Sequence, residues 1–217
     1  MKKEESVTIQ IPEIKIQRAK IKIVGDSPLL VCKFSEKAKR EMLSKDMKKA
    51  KKIKETKNPF AEFMHSLHWI TKEPDTEDKT PEECQKIFEE ELKNGAKFGF
   101  PATGIKQSAI SAMYRSGLSK NKVMLQGLFH IEGKLVEIKG DLSMNEEVAR
   151  NPSTGAAMIL YRGEYAKGWT AEFSVIYKKD NVSLEQIIQM INLGGFDVGI
   201  GEWRVEKGGN YGMFHCE

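Results

Sequence analysis

The segment from Gly194 to Gly212 holds seven glycines in nineteen residues, interleaved with Trp203, Arg204, Lys207 and Tyr211. Glycine lets a backbone turn tightly and bring its N–H groups close to an anion. Cations beside aromatic rings are what a site needs to neutralise phosphates and stack the bases of a single strand. Gly199, Gly201, Trp203, Arg204, Lys207 and Tyr211 are therefore candidate nucleic-acid contacts. Two commoner phosphate cradles are excluded by spacing. No Gly-Lys-Ser/Thr closes the segment as in a P-loop, and a helical pattern precedes it where a dinucleotide fingerprint would have one following. The structural alternative is a tight irregular crossover packed under a sheet.

Other residue types with chemical potential are weaker signals. From Lys33 to Lys57 there are eleven basic residues against four acidic ones, whereas Glu73 to Glu91 is acidic. A solvated lysine-rich helix face is the plain reading of the first run, and non-specific phosphate neutralisation is the other. His65 and His68 lie three apart, as on one face of a helix, but without a third ligand they read as packing beside Trp69 rather than as a metal site. Cys32, Cys84 and Cys216 are odd in number and far apart, which suits reduced structural thiols and not a disulfide framework. No serine, cysteine or paired-carboxylate constellation stands out, so the residues point to no catalytic group, metal or cofactor.

The elements that would position these groups can be read from periodicity. Gln17 to Val24 alternates Ala19, Ile21 and Ile23 against Arg18, Lys20 and Lys22, a strand signal, and Val7 to Ile16 alternates similarly. Gly25 to Pro28 is a turn. Ser35 to Lys54 reads as a helix with a thin apolar stripe, ended by Asn58-Pro59, and Phe60 to Ile70 as a second helix. Thr80-Pro81-Glu82-Glu83 opens a third with a capping box, and Asn94-Gly95 closes it. Phe98 to Arg115 reads as an extended piece, a turn at Pro101 to Gly104, and a helix burying Ile105, Ala109, Ala112 and Met113. Strands are expected at Leu125 to Ile131, Leu135 to Ile138 and Trp169 to Tyr177. Asp141 to Arg162 has weak periodicity and reads as a long loop or flexible arm. Ser183 to Leu193 is an amphipathic helix with Gly194 as its stop, and Tyr211 to Cys216 a closing strand. With insertions removed the order is βαββαβ, which predicts an α+β chain with a ferredoxin-like (RRM-type) core.

These segments carry a resemblance. A helix ending in Gly-Gly, then Gly201-Glu202-Trp203-Arg204 and a downstream Gly-x-Tyr-Gly-x-Phe strand, resembles the C-terminal glycine-rich signature of the RAMP superfamily, the RRM-fold proteins of CRISPR effector complexes. Pro101 to Ala109 is similar to the segment before the first core helix of RAMP backbone subunits, with Gln107 where a glycine is usual. The two segments cover about a fifth of the chain, and the helical stretch at about 35–95 has no counterpart in the pattern. The resemblance implies one domain over 1–217, with a helical insertion at about 35–95 and a thumb-like insertion at about 141–165. It implies single-stranded guide RNA along the sheet and loops, and Lys106, Arg150, Arg162 and Lys167 become further phosphate contacts. Partners would be single-stranded RNA or DNA together with further copies of the chain or CRISPR-like subunits, in an effector complex or a phage or mobile-element relative. Asp26 resembles a loop aspartate that cuts RNA in some backbone subunits.

Composition limits the remaining classes. With 217 residues, 40% hydrophobic and 30% charged, the chain can bury a core and reads as globular. No run spans a bilayer and Met1 to Gln10 lacks a secretory h-region, so no membrane partner is expected and the cytoplasm is the expected location. The net charge of +4 permits nucleic acid without requiring it. Two other functions fit the same fold: a metal-independent endoribonuclease using His65 or His68, and a protein-interaction or inhibitor module whose glycine-rich loop is structural.

Overall fold

Strand β1 (Ile16–Gly25) turns Ile21 and Ile23 into the core and Arg18 and Lys20 to solvent, as a period of two requires. Then come β2 (Leu29–Val31), α1 (Pro59–Ser66), β3 (His68–Trp69), α2 (Pro81–Lys93), β4 (Phe98–Pro101), α3 (Ala102–Arg115) and α4 (Lys122–Gln126). The chain continues through β5 (Phe129–Ile131), β6 (Leu135–Lys139), β7 (Leu142–Arg150), β8 (Ala157–Tyr165), β9 (Thr170–Lys178), α5 (Leu184–Asp197), a 3-10 turn (Val205–Lys207) and β10 (Phe214–Cys216). The structure is a computed structural model and describes residues 13–34, 57–150 and 155–217. The helix expected at Ser35 to Lys54 and most of the expected Val7 to Ile16 strand lie outside the described residues.

The fold is α+β, with two antiparallel sheets and five helices among the described residues. The larger sheet runs β10–β1–β9–β6–β4–β3, with β5 also paired to β9, and the smaller runs β2–β8–β7. Every pairing between these strands is antiparallel. Helices α3 and α5 share one core with the large sheet through Ile105, Ala109, Ile187 and Ile191 against Ile23, Phe173 and Val175. Helix α2 has the expected capping box between Thr80 and Glu83.

Three local expectations give way in the structure. The helix expected through Ile70 stops at Ser66, because Trp69 pairs with Phe98 and His68 with Gly99 in the sheet. His65 and His68 therefore belong to different elements. No turn separates β4 from α3: Pro101 ends the strand and stands as the N-cap of the helix. Leu125 and Gln126 end α4, which Asn121 caps, so only Phe129–Ile131 of that run is strand.

The weakly periodic stretch after Asp141 is a regular hairpin, β7 against β8, paired from Leu142 opposite Tyr165 to Arg150 opposite Ala157. Its alternation is hidden because polar side chains sit on both faces. They pair across the strands, as Asn145 does by donating to Glu164 over 2.6 Å. Residues 151–154 between the strands lie outside the described part.

Helix α5 does not stop at Gly194 but runs to Asp197. A Cβ at Gly194 would lie 2.5 Å from the Ala109 nitrogen of α3, and one at Gly195 only 1.9 Å from the Phe214 carbonyl oxygen. These glycines let α5 cross α3 and β10 at backbone distance, and they end nothing.

Candidate nucleic-acid interface

Helix α3 and the glycine-rich loop face each other across a cleft of about 420 Å³. Phe100, Gly104, Gln107 and Ser111 line it from the β4–α3 side, and Gly199, Gly201, Glu202 and Arg204 from the loop, with Cys32 and His68 also on its wall. The two segments that carry the sequence resemblance thus meet at one place.

The loop glycines serve close chain-to-chain contact. Gly199 and Gly201 have φ of +70° and +80°, a region open to glycine, and a Cβ on Gly201 would meet the Leu30 carbonyl oxygen at 2.4 Å. Many loop amides are engaged inside the fold. The Gly199 N–H donates to Gly194, Ile200 to Gly212, Glu202 to Leu30 and Gly212 to Pro28, all within 2.9 Å. This geometry accords with the crossover alternative and leaves side chains, not a nest of free amides, as the loop's means of meeting a ligand.

Among those side chains Trp203 stands apart. It is a non-glycine residue at φ +48° and is 45% exposed, while Trp69 and Trp169 are buried. The strained backbone is held from both sides: the Tyr211 N–H donates to the Trp203 carbonyl, and a Cβ on Gly209 would collide with that same oxygen at 1.8 Å. Lys207 ends the 3-10 turn close by in sequence and is exposed. Tyr211 is half-buried, and burial pushes its phenol up, with Glu164 and Glu147 adding to the effect.

The arginines are engaged with carboxylates. Arg204 donates to Glu206 from Nη2 at 2.6 Å and from Nε at 3.0 Å, and Glu206 also pairs with Arg115. Burial works against the Glu206 carboxylate, but the Arg204 hydrogen bond and the nearby cations hold it below its usual range. Arg162 is buried between Glu147 at 3.0 Å and Glu202 at 2.9 Å. Its Nη1 donates to Glu147, while its Nε faces Glu202 as an ion pair without hydrogen-bond alignment. Arg162 and Arg204 therefore brace the loop and the hairpin.

The remaining sequence-expected contacts are dispersed. Arg150 ends β7, with its guanidinium 3.5 Å from the Gly155 carbonyl, and Lys167 is exposed in the β8–β9 turn. Lys106 lies on the face of α3 turned away from the cleft-lining Gly104, Ser108 and Ser111, since a helix advances 100° per residue. It reaches Gln126 and His130 instead. One exposed pairing was not foreseen from the sequence: His130 beside Lys106.

The histidines and thiols offer little reactivity. His65 is held at both ring nitrogens, Nδ1 by Glu73 and Nε2 by Thr76, each at 2.9 Å. Burial, then Lys33, lowers His68 and keeps it neutral at the cleft. Burial pushes Cys32 and Cys216 up to about 11, so thiolate is scarce at neutral pH. Among the described residues no three His, Cys, Asp or Glu side chains converge as metal ligands, and no helix is long and apolar enough to cross a membrane.

No family model matches this sequence, and no curated protein matches it. Among solved structures the chain is similar to the crystal structure of Cmr6 from Pyrococcus furiosus, at 10% identity over 94% of this chain and 100% of that one. The TM-score is 0.34, a likeness too distant to carry fold or function across.

Proposed function

We propose that this chain is a non-catalytic, single-stranded nucleic-acid-binding subunit of RAMP type, with RNA the expected strand, acting inside a CRISPR-like ribonucleoprotein or filament. One observation carries the reading: the Pro101–Ala109 and Gly194–Gly212 segments, which resemble RAMP motifs, line the same cleft, and the exposed Trp203 lies between its lining residues Glu202 and Arg204 in sequence. The element order supports a ferredoxin-like core, since β1, α3, the β5–β6 pair, β9, α5 and β10 follow βαββαβ with neighbours β10–β1–β9–β6. In this reading the β7–β8 hairpin is the thumb-like arm. Trp203 stacks a base, Lys207, Lys167 and Arg150 meet phosphates, and Arg162, Arg204 and Tyr211 set the loop's shape with Gly199 and Gly201.

The test is fluorescence titration with a short oligouridylate at low salt. The exposed Trp203 should be quenched, and Trp203→Ala should weaken binding by about 1–3 kcal/mol, the usual worth of one stacked base. Equal affinity of wild type and variant would remove Trp203 from the interface.

A second reading, a protein-interaction module, is favoured by the exposed apolar side chains of Tyr114, Leu118, Val123 and Met124 at the α3–α4 corner. It would be preferred if the purified chain bound neither RNA nor single-stranded DNA at low salt.

A further inference from the structure

The β4–β6 ladder pairs Pro101 with Leu135, Phe100 with Val136 and Gly99 with Glu137, and it ends there. One position on, Phe98 pairs with Trp69 of β3 and Ile138 with Ala171 of β9, so the two strands separate. The wedge between them is a cavity of about 440 Å³, bounded also by Leu92 of α2, Leu142 of β7 and Tyr165 of β8 at the seam of the two sheets. It shares no lining residue with the cleft described above.

The walls grade from dry to wet. Phe98, Ile138 and Tyr165 are buried, whereas Lys97, Lys139 and Asp141 are exposed at the mouth. Lys97 pairs with Glu137 at 3.4 Å. Two lysines thus stand against two carboxylates among the lining residues, and the cavity presents no net formal charge.

The inner wall carries one unmet polar group. Tyr165 is 2% exposed, and its hydroxyl has no hydrogen-bond partner among the described residues. Burying a hydroxyl unpaired costs free energy, and a ligand atom that pairs with it recovers that cost. Burial pushes the phenol far up, so the group keeps its proton and can donate it in a hydrogen bond.

We propose that this cavity binds a small, flat, uncharged molecule whose carbonyl or ring-nitrogen acceptor takes a hydrogen bond from the Tyr165 hydroxyl. The volume lies within the range of small-molecule sites, which are mostly apolar with a few placed polar groups. The Phe98 ring, packed edge-on to Trp69 with centroids 4.6 Å apart, and the Tyr165 ring favour a flat partner. The balanced charges at the mouth give an ion no advantage, and an ion would lose its water against Phe98 and Ile138. A Leu, Phe or Trp side chain from a partner protein would fill the space without supplying the acceptor.

The test uses acetophenone and its hydrocarbon isostere α-methylstyrene, which differ in the acceptor alone. Methyl NMR of the full chain follows Leu92, Ile138 and Leu142. Acetophenone should shift all three signals. Tyr165→Phe should weaken acetophenone about fivefold, the usual worth of one hydrogen bond, and leave α-methylstyrene binding unchanged. Methyl signals unmoved by acetophenone overturn the site. If Tyr165→Phe weakens both probes equally, or neither, the hydroxyl has no part in recognition and the ligand class is overturned. The site is independent of the nucleic-acid reading: oligouridylate should quench Trp203 and leave the three methyl signals in place. Movement of those signals by oligouridylate would put the cavity on the strand's path and overturn the assignment.

Discussion

The Arg162 Nε lies 2.9 Å from Glu202 Oε2, joining strand β8 of the hairpin to the glycine-rich loop. The same guanidinium is held by Glu147 of β7, so one buried cation ties both strands of the hairpin to the loop bordering the cleft. Replacing Arg162 with alanine leaves two carboxylates facing each other without their cation. Because both are partly exposed, we expect a loss of about 2 kcal/mol, below the range for a fully buried pair, read by urea denaturation. Glu202→Gln should cost about half as much, and a double-mutant cycle should show coupling between the two positions. Additive effects would contradict the brace.

Glycine positions should divide sharply. Gly195→Ala puts a Cβ 1.9 Å from the Phe214 oxygen and should destabilise by at least about 3 kcal/mol, since β10 must move. Gly117, at φ +72° with open space around it, should lose only about 1 kcal/mol as alanine. Comparable losses would show that backbone conformation, and not the α5–β10 approach, decides Gly195.

The Tyr165 hydroxyl is buried without a hydrogen-bond partner among the described residues, and burial pushes its phenol far up. Tyr165→Phe removes an unsatisfied group and keeps the ring, so thermal stability should be unchanged or raised by up to about 1 kcal/mol. A loss larger than that would mean the hydroxyl has a partner.

His68 gives stability a pH dependence of definite sign. Burial, then Lys33, lowers its folded value, so the unfolded chain binds the proton more readily. This contribution is present above the unfolded value of about 6.5 and is lost as pH falls from there through the lowered folded value. His68→Gln should flatten that limb, whose slope from one histidine cannot exceed about 1.4 kcal/mol per pH unit. An unchanged profile in the variant would assign the slope to other groups.

Elements whose signals are local were legible in the sequence: β1 and β9 from alternation, α2 from its capping box at Thr80, and α5 from its amphipathic pattern. The errors arose where distant partners decide. Trp69 leaves its helical pattern to pair with Phe98, and Gly194 looks like a stop in the sequence because Ala109, its reason for being glycine, lies far away along the chain. For the candidate site, two segments singled out in the sequence line one cleft, but the carboxylates that engage Arg162 and Arg204 could not be foreseen.

The pairing of β1 with β9 and β10 also bears on synthesis. Ile21 pairs opposite Phe173, 152 positions later, and Ile23 opposite Cys216. At about 5–20 residues per second, β1 leaves the ribosome roughly 8 to 30 seconds before its central neighbour exists. Through that interval its apolar side has no sheet to join, and completion of the sheet must wait for the last strand. A nascent chain stalled before β9 should therefore remain protease-sensitive at β1 and engage chaperones, which makes this molecule one that folds from its end backwards.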